Sequence, residues 1–391
     1  MNLEILNQPE AIAFSNEVRT FIENNLPEKL RPVVTAERMD VPKELQRQWH
    51  RLLQTRGWGC PTWPVEFGGP GWEDWQHYLF EREIALGDAP RSMVYGVGML
   101  APTLMVYGSE AQKSELLQRI QNADDFWCQG FSEPGAGSDL ASLKSRAVRE
   151  GDEYILNGSK IWTSEAHIAD KMFGLFRTDS SGKKQHGITF ILLDMNQPGV
   201  EVQPIKTYDG AGPEINQVFF QNVRVPVSNR VGEEHQGWGI AKYLLSLERF
   251  GTAEVSRSLR TLQKLKAAAV RLNRNDSEFL HRLSQSEIEL RAVQLTEYRM
   301  LFGDETAGAE ASLLKLKGTE VQNDILELFH DLMSVYGRIE GSDSRSISQL
   351  PDLMAEAAYV AQAHFNFRKT EIYAGSSEVQ KNIIAKAVLG I

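Results

Sequence analysis

Trp127-Cys128-Gln129-Gly130-Phe131-Ser132-Glu133-Pro134-Gly135-Ala136-Gly137-Ser138-Asp139 is the stretch on which the reading of this chain turns. It contains Gly-x-Gly at Gly135 and Gly137, but Leu140 stands where a third glycine would complete a dinucleotide fingerprint. No clear strand-then-helix pattern surrounds it, so a βαβ nucleotide-binding unit is not expected. What is left is a loop of small residues with accessible backbone N–H groups and two hydroxyls, Ser132 and Ser138. Such a loop suits a large planar or phosphorylated ligand lying against the backbone. Read alone, a plain turn is the simpler account.

The sequence changes character on both sides of this stretch. Residues 1–125 read as helical: Ile12, Phe14, Val18, Phe21 and Ile22 recur near a 3.6-residue period, and Lys43 to Arg56 and Trp75 to Leu86 behave alike. Between them, Gly57 to Trp72 is too rich in glycine and proline for a regular element. It reads as a long ordered loop whose tryptophans Trp58, Trp63 and Trp72 pack against something. Residues 126–235 carry short β-rich runs at Glu153–Leu156, Lys171–Phe176, Ile188–Leu193, Gln217–Phe220 and Val223–Val225. Turn residues such as Asn157-Gly158 separate them, so a small antiparallel barrel or sandwich is expected, with a hairpin within Tyr154–Ser164. Residues 236–391 return to helix. Gly237 to Leu272 reads as one long helix with a soft spot at Gly251, Asp276 opens the next, and Val321, Ile325, Leu328 and Leu332 mark one apolar face.

Composition narrows the function. A chain of 391 residues with 42% hydrophobic and 24% charged residues is ordinary for a globular protein of several domains. A net charge of −10 argues against a nucleic-acid or anionic-membrane binder. No apolar run approaches the ~18–20 residues that span a bilayer. Met1-Asn2-Leu3-Glu4 does not begin a secretory signal, and a cytoplasmic location is expected. Cys60 and Cys128 are read as free thiols, and the eight scattered histidines as no metal site. Neither GxSxG nor GxxxxGK[ST] occurs, which removes the main support for a serine hydrolase or a P-loop enzyme.

Two further segments bear hydroxyls. Tyr154-Ile155-Leu156-Asn157-Gly158-Ser159-Lys160-Ile161-Trp162-Thr163-Ser164 ends in an aromatic and two hydroxyls, and Tyr373-Ala374-Gly375-Ser376-Ser377-Glu378-Val379-Gln380 interrupts two helical patterns. Together with Phe131 to Asp139, these three segments resemble, in order and spacing, the signatures of the acyl-CoA dehydrogenase family. The Gly57–Gly71 loop and Asn222-Val223-Arg224-Val225-Pro226 agree with it, so the resemblance spans nearly the whole chain. It looks closest to the branch of pimeloyl-CoA dehydrogenase large subunits and other degraders of bulky acyl-CoAs.

The resemblance implies an α+β fold: a helical N-terminal domain (1–125), a middle β-barrel domain (126–235) and a C-terminal four-helix bundle (236–391). It implies FAD between the middle and C-terminal domains and a neighbouring subunit, an acyl-CoA substrate, and an electron-transfer flavoprotein as acceptor. Phe131 and Ser132 would line the flavin ring with Gly137 and Ser138 beside them, Trp162, Thr163 and Ser164 would lie on the far side, and Ser376 and Glu378 near its adenosine half. Ser138, Arg249, Tyr373 and Gly375 match substrate positions.

The reaction implied is removal of the Cα proton of an acyl thioester by a carboxylate, with a hydride passing from Cβ to flavin N5. Many members place a Glu directly after the Tyr of the C-terminal loop, but here that residue is Ala374. Others carry the Glu on a helix just before an Arg, and Leu245-Ser246-Leu247-Glu248-Arg249-Phe250 has that form. Glu248 takes the role by resemblance. Its helical neighbours at ±3 and ±4, namely Leu245, Leu244, Gly251 and Thr252, offer no cation, and a surface Glu or a partner to a distant Arg is the alternative.

Two departures stand out. Where many relatives have Arg-x-x-Phe-Gly, reaching the FAD pyrophosphate of the adjacent subunit, this chain has Asp276-Ser277-Glu278-Phe279-Leu280. A later glycine-rich segment is reduced to Val335-Tyr336-Gly337-Arg338. The cross-subunit half of the FAD site is therefore altered, and the chain is expected to form a homo-oligomer or a hetero-oligomer with a related chain. A half-site or non-catalytic subunit, and a flavin oxidase or monooxygenase on the same scaffold, are the rival readings.

Overall fold

The computed structural model describes residues 3–38, 41–210, 212–303, 309–333 and 352–390. The side chains of Glu248, Arg249 and Phe250 lie outside the described part, although their backbone is helical; the Val335–Arg338 segment lies outside it altogether.

The N-terminal third is built from α1 (Pro9–Asn25), α2 (Arg31–Thr35), α3 (Lys43–Gln54), α4 (Asp74–Leu86), a π-helical turn (Val94–Leu100) that runs into α5 (Ala101–Tyr107), and α6 (Glu110–Gln121). Capping boxes start two of these helices. Glu73 and Gln76 exchange bonds at α4, and Ser109 and Gln112 do so at α6, satisfying backbone N–H groups that the first turn leaves open. The tryptophan loop packs as expected. Phe14, Phe21, Trp58, Trp72 and Phe80 meet edge-on or tilted, and the buried Trp63 donates Nε1–H to the Val97 carbonyl at 2.9 Å. Gly69 is required there, because a Cβ would sit 1.7 Å from the Trp63 carbonyl oxygen.

Eight strands form one sheet: β1 (Trp127–Gly130), β2 (Arg146–Glu150), β3 (Glu153–Ser164), β4 (Lys171–Arg177), β5 (Ile188–Asp194), β6 (Val200–Pro204), β7 (Ile215–Pro226) and β8 (Arg230–Val231). The order is β6-β7-β3-β2-β4-β5-β8, with β1 beside β4. The long pairings are antiparallel, as expected, but β1 runs parallel to β4, and so does the single β2–β4 pairing.

Asn157-Gly158 does not turn a hairpin. β3 continues through it as one strand, and β7 likewise runs on through Asn222. The two kinks face each other: Asn222 N–H donates to Asn157 Oδ1 at 2.9 Å, and Asn157 Nδ2 donates to Asn222 Oδ1 at 3.2 Å. Gly158 has φ 141°, and a Cβ there would meet Ser145 at 2.4–2.7 Å. A turn dipeptide has been used to bulge a long strand rather than to end it.

The C-terminal part comprises α7 (Gly237–Gly251), α8 (Val255–Arg271), α9 (Ser277–Phe302), α10 (Glu310–Met333), α11 (Asp352–Phe367) and α12 (Ser377–Ile384). Helices α8–α11 share one apolar core that contains Leu265, Leu290, Ile325 and Ala357. The expected face of α10 is confirmed, with Val321, Ile325 and Leu328 buried and Leu332 packed beside them. The expected single helix over Gly237–Leu272 is two helices. It breaks at 252–254, where Glu254 adopts φ 42° and its carboxylate takes ion pairs from Arg91 and Arg257. The side chain's bonds outweigh the cost of a left-handed backbone at a non-glycine residue.

One core positions the site. Val97 and Leu100 of the π-helical turn, Phe131 after β1, Phe173 and Phe190 of the sheet, and Ile240, Ala241 and Leu244 of α7 pack together. Segments from all three parts of the chain are held on a common apolar mass. At ~25 cal/mol per Å2 of apolar surface removed from water, this is the main force joining them.

Candidate active site

The Phe131–Asp139 loop and the end of β3 are brought together by the backbone. Ile161 N–H donates to the Ser132 carbonyl at 2.9 Å. Beneath this contact lies a buried ion pair that sequence reading did not single out. Lys160 Nζ donates to Glu133 Oε1 at 2.7 Å and to the Phe131 carbonyl at 3.2 Å. Glu133 also accepts the backbone N–H groups of Lys144 at 2.6 Å and Ser145 at 2.9 Å. Lys160 is 0% exposed and Glu133 7%. Burial pushes the Lys160 ammonium down to about 8, with Glu133 pulling the other way. Burial also opposes ionisation of Glu133, but Lys160 and the two N–H donors prevail and hold its carboxyl below the usual range.

The predicted residues around this clamp differ in what they can offer. The Phe131 ring is committed to the core, edge-on to Phe173 and Phe190 at 5.9 and 6.1 Å, which leaves only its backbone for a ligand. Ser132 and Ser164 are half-buried. Gly137 and Ser138 are exposed, and nothing lies within 4 Å of a Cβ placed on Gly137. Trp162 sits where the β3–β7 register shifts, with φ 60°, and the residue is 58% exposed. Beside it Thr163 is buried, yet its Oγ1 has no hydrogen-bond partner among the described residues. On β1, Gln129 Nε2 is likewise buried without a partner among the described residues; no sequence signal marked Gln129 as more than a strand residue.

The Tyr373–Gln380 loop is shaped by its own backbone. Ala374 and Gly375 have φ 52° and 86°, and Gln380 Nε2 donates to both of their carbonyls at 3.1 Å. Ser376 caps α12 by accepting the Val379 N–H, Glu378 is exposed, and Tyr373 is partly exposed. Glu248 and Arg249 lie near the end of α7, whose Ile240, Ala241 and Leu244 are anchored in the core described above. Asp276 accepts the Phe279 N–H at 3.0 Å and caps α9, while Arg274 lies over the Phe279 ring at 5.7 Å.

Comparison with known proteins gives three consecutive matches: the acyl-CoA dehydrogenase N-terminal domain over residues 8–124, the middle domain over 128–223 and the C-terminal domain over 235–389. Acyl-CoA dehydrogenase IpdE1 of Mycobacterium tuberculosis is 34% identical over 89% of this chain and 88% of its own length. The chain belongs to the acyl-CoA dehydrogenase family. Like its relatives, this acyl-CoA dehydrogenase is an oxidoreductase. Among solved structures it is similar to the Tcur3481-Tcur3483 steroid ACAD, with TM-score 0.86 and 31% identity over 98% of each chain. It is also similar to the ChsE4-ChsE5 complex from Mycobacterium tuberculosis, with TM-score 0.83 and 28% identity over 98% of each chain. Among the described residues no helix is long and apolar enough to cross a membrane.

Family members are generally FAD-dependent. The residues present fit such a group. An exposed indole offers a planar face, and the buried Thr163 hydroxyl and Gln129 amide are donors that would otherwise remain unpaired, a state costing roughly 1–3 kcal/mol each.

Proposed function

We propose that this acyl-CoA dehydrogenase catalyses FAD-dependent α,β-dehydrogenation of an acyl-CoA thioester to the 2-enoyl-CoA. The observation that carries the reading is the clamp between Ser132 and Ile161. It leaves Trp162 exposed and Thr163 Oγ1 unpartnered on the same short segment. Bound FAD supplies the hydride acceptor. Ser132, Thr163, Ser164 and Trp162 hold and orient it, with Gly137 and Ser138 leaving room along the loop and Ser376 and Glu378 toward the adenosine end. Glu248 takes the Cα proton, and Arg249, Tyr373 and Gly375 border the acyl thioester. Because Ala374 offers no carboxylate, the base comes from α7. A proton acceptor held within reach of Cα on a packed helix needs little reorganisation in the transition state.

Likeness to a steroid ACAD and to degraders of bulky acyl-CoAs supports a large acyl group. The reading also includes an electron-transfer flavoprotein as acceptor and an oligomer with FAD near the subunit boundary. A mixed assembly with a related chain is favoured by a specific observation: Asp276 caps α9 where relatives present a phosphate-binding Arg.

The test is anaerobic. Bleaching of the flavin band of the purified assembly on adding acyl-CoA supports the reading, and an unchanged spectrum with every acyl-CoA tried removes it. Fast reoxidation of the bleached flavin by O2 would turn the assignment toward an oxidase. Two further outcomes are expected. Ser132→Val and Ser164→Val each lower flavin content or shift its spectrum, and full content with an unchanged spectrum in both counts against their placement. Size-exclusion chromatography with light scattering finds an oligomer, whereas a monomer that retains FAD at low micromolar concentration contradicts the subunit-boundary site.

A further inference from the structure

Resting on the reading above, we infer that Glu214 is a positioning residue: it ties the hydroxyl-bearing end of β3 to the Tyr373–Gln380 loop and so fixes the spacing between the flavin-holding and substrate-bordering halves of the site. Glu214 ends the connection from β6 to β7 and is 5% exposed. Strand register puts it there. β7 pairs with β3 through Thr163 with Asn216 and Ser164 with Ile215, so the residue before β7 falls beside Glu165. Glu165 N–H donates to the Glu214 carbonyl at 2.8 Å, and Asn216 Nδ2 donates to the Thr163 carbonyl at 3.0 Å.

The Glu214 carboxylate reaches the C-terminal part of the chain. Its Oε2 accepts Asn366 Nδ2, near the end of α11, at 2.8 Å, and its Oε1 accepts Lys369 Nζ from the 3-10 turn Arg368–Glu371. The Lys369 carbonyl in turn accepts the N–H groups of Ile372 at 2.9 Å and Tyr373 at 3.0 Å. Three hydrogen bonds therefore connect the residue after Ser164 to Tyr373, through the backbone and side chain of Glu214 and the side chain and backbone of Lys369. Such a contiguous path between two packed elements is a physical route for coupling them.

The arrangement favours one geometry at a cost in free energy. Asn366 gives its other amide hydrogen to Asp209, itself 7% exposed, so two buried carboxylates share one neutral amide. Withdrawing like charges from water in one place is unfavourable, and fixing a single arrangement is the best-attested use of such buried charge. Both ends of the tether are anchored: β3 lies within the sheet, and α11 packs into the C-terminal core through Ala357 and Val360. A misplacement of about 1 Å costs a reaction on the order of a hundredfold, so the spacing between these two halves bears directly on rate.

Hydrogen exchange of the purified assembly, read by mass spectrometry, tests the tether without turnover. Glu214→Gln and Lys369→Met are each expected to speed exchange about tenfold or more in both linked segments, Lys160 to Ile168 and Thr370 to Ser376. Lys369→Met is the sharper variant, because Lys369 donates to the Glu214 carboxylate and not to the backbone that holds Glu165. Lys369→Arg keeps a cation on Glu214 and should restore slow exchange in both segments. In the flavin-loaded assembly, Glu214→Gln should slow bleaching by acyl-CoA about tenfold while acyl-CoA affinity by calorimetry shifts by less than about threefold. The double variant should be no slower than the worse single one, since both break the same link. Loosening of one segment only, exchange in both single variants within about twofold of the parent, or rate losses that multiply in the double variant would overturn the inference. Should Glu214→Gln fail to fold, Lys369→Met against Lys369→Arg decides by itself. If no acyl-CoA bleaches the parent's flavin, the dehydrogenase reading fails, and the exchange comparison still decides the tether.

Discussion

Glu248→Gln is expected to bind FAD and acyl-CoA nearly as the parent does and to reduce flavin slower by a factor on the order of a thousand or more. A thousandfold is about 4 kcal/mol of barrier, the scale of losing an obligatory proton acceptor while the rest of the site stays aligned. Gln preserves the size of the side chain and removes only its basicity. Residue 374 is an alanine, held at φ 52° in a loop pinned by Gln380, and offers no carboxylate. Placing Glu at 374 in the Glu248→Gln background should restore part of the rate. The substitution adds a carboxylate without disturbing the loop's own hydrogen bonds, which run through carbonyl oxygens. Stopped-flow bleaching under anaerobic conditions reads both variants. Bleaching by Glu248→Gln at the parental rate would place the base elsewhere and remove α7 from the chemistry.

Lys160→Met is expected to lower stability by about 3–5 kcal/mol, the cost of leaving one partner of a buried ion pair unpaired. Glu133 would keep its two backbone donors but lose the charge that balances it, in a site with no solvent to replace Lys160. The Phe131 carbonyl would lose a donor as well, so the loop should loosen where it meets Ile161 and flavin content should fall with stability. Lys160→Met with Glu133→Gln should recover part of the loss, because Gln removes the stranded charge and can still accept a backbone N–H. Urea unfolding of the parent, the single and the double variants measures this. A single variant within about 0.5 kcal/mol of the parent, the range of a surface change, sinks the argument.

The coarse layout of helices, a β-rich middle and helices again was legible because it rests on local and periodic signals. Helical spacing in Val321, Ile325 and Leu328, turn residues between β-rich runs, and Asp276 ahead of an apolar run each depend only on neighbours within a few residues. The hydroxyl-rich segments were legible for a different reason: their type, order and spacing match a family pattern.

Other features required the tertiary structure because they arise from residues far apart in the chain. Asn157-Gly158 carries the composition of a turn, and only its apposition to Asn222 makes it a bulge in one long strand. The helix expected from Gly237 to Leu272 showed only a soft spot at Gly251; it breaks at 252–254, where Glu254 at φ 42° pairs with Arg91, 163 residues earlier. The Glu133–Lys160 pair looks in sequence like two ordinary charged residues, and its importance comes from a desolvated position that only packing creates. The sequence alone determined the broad order of helical and β-rich regions and which segments carry hydroxyls, since those follow from local propensity and side-chain type. The three-dimensional packing decided which distant charges meet, and where burial would make an unpaired one costly, because both depend on long-range contacts and on the exclusion of water.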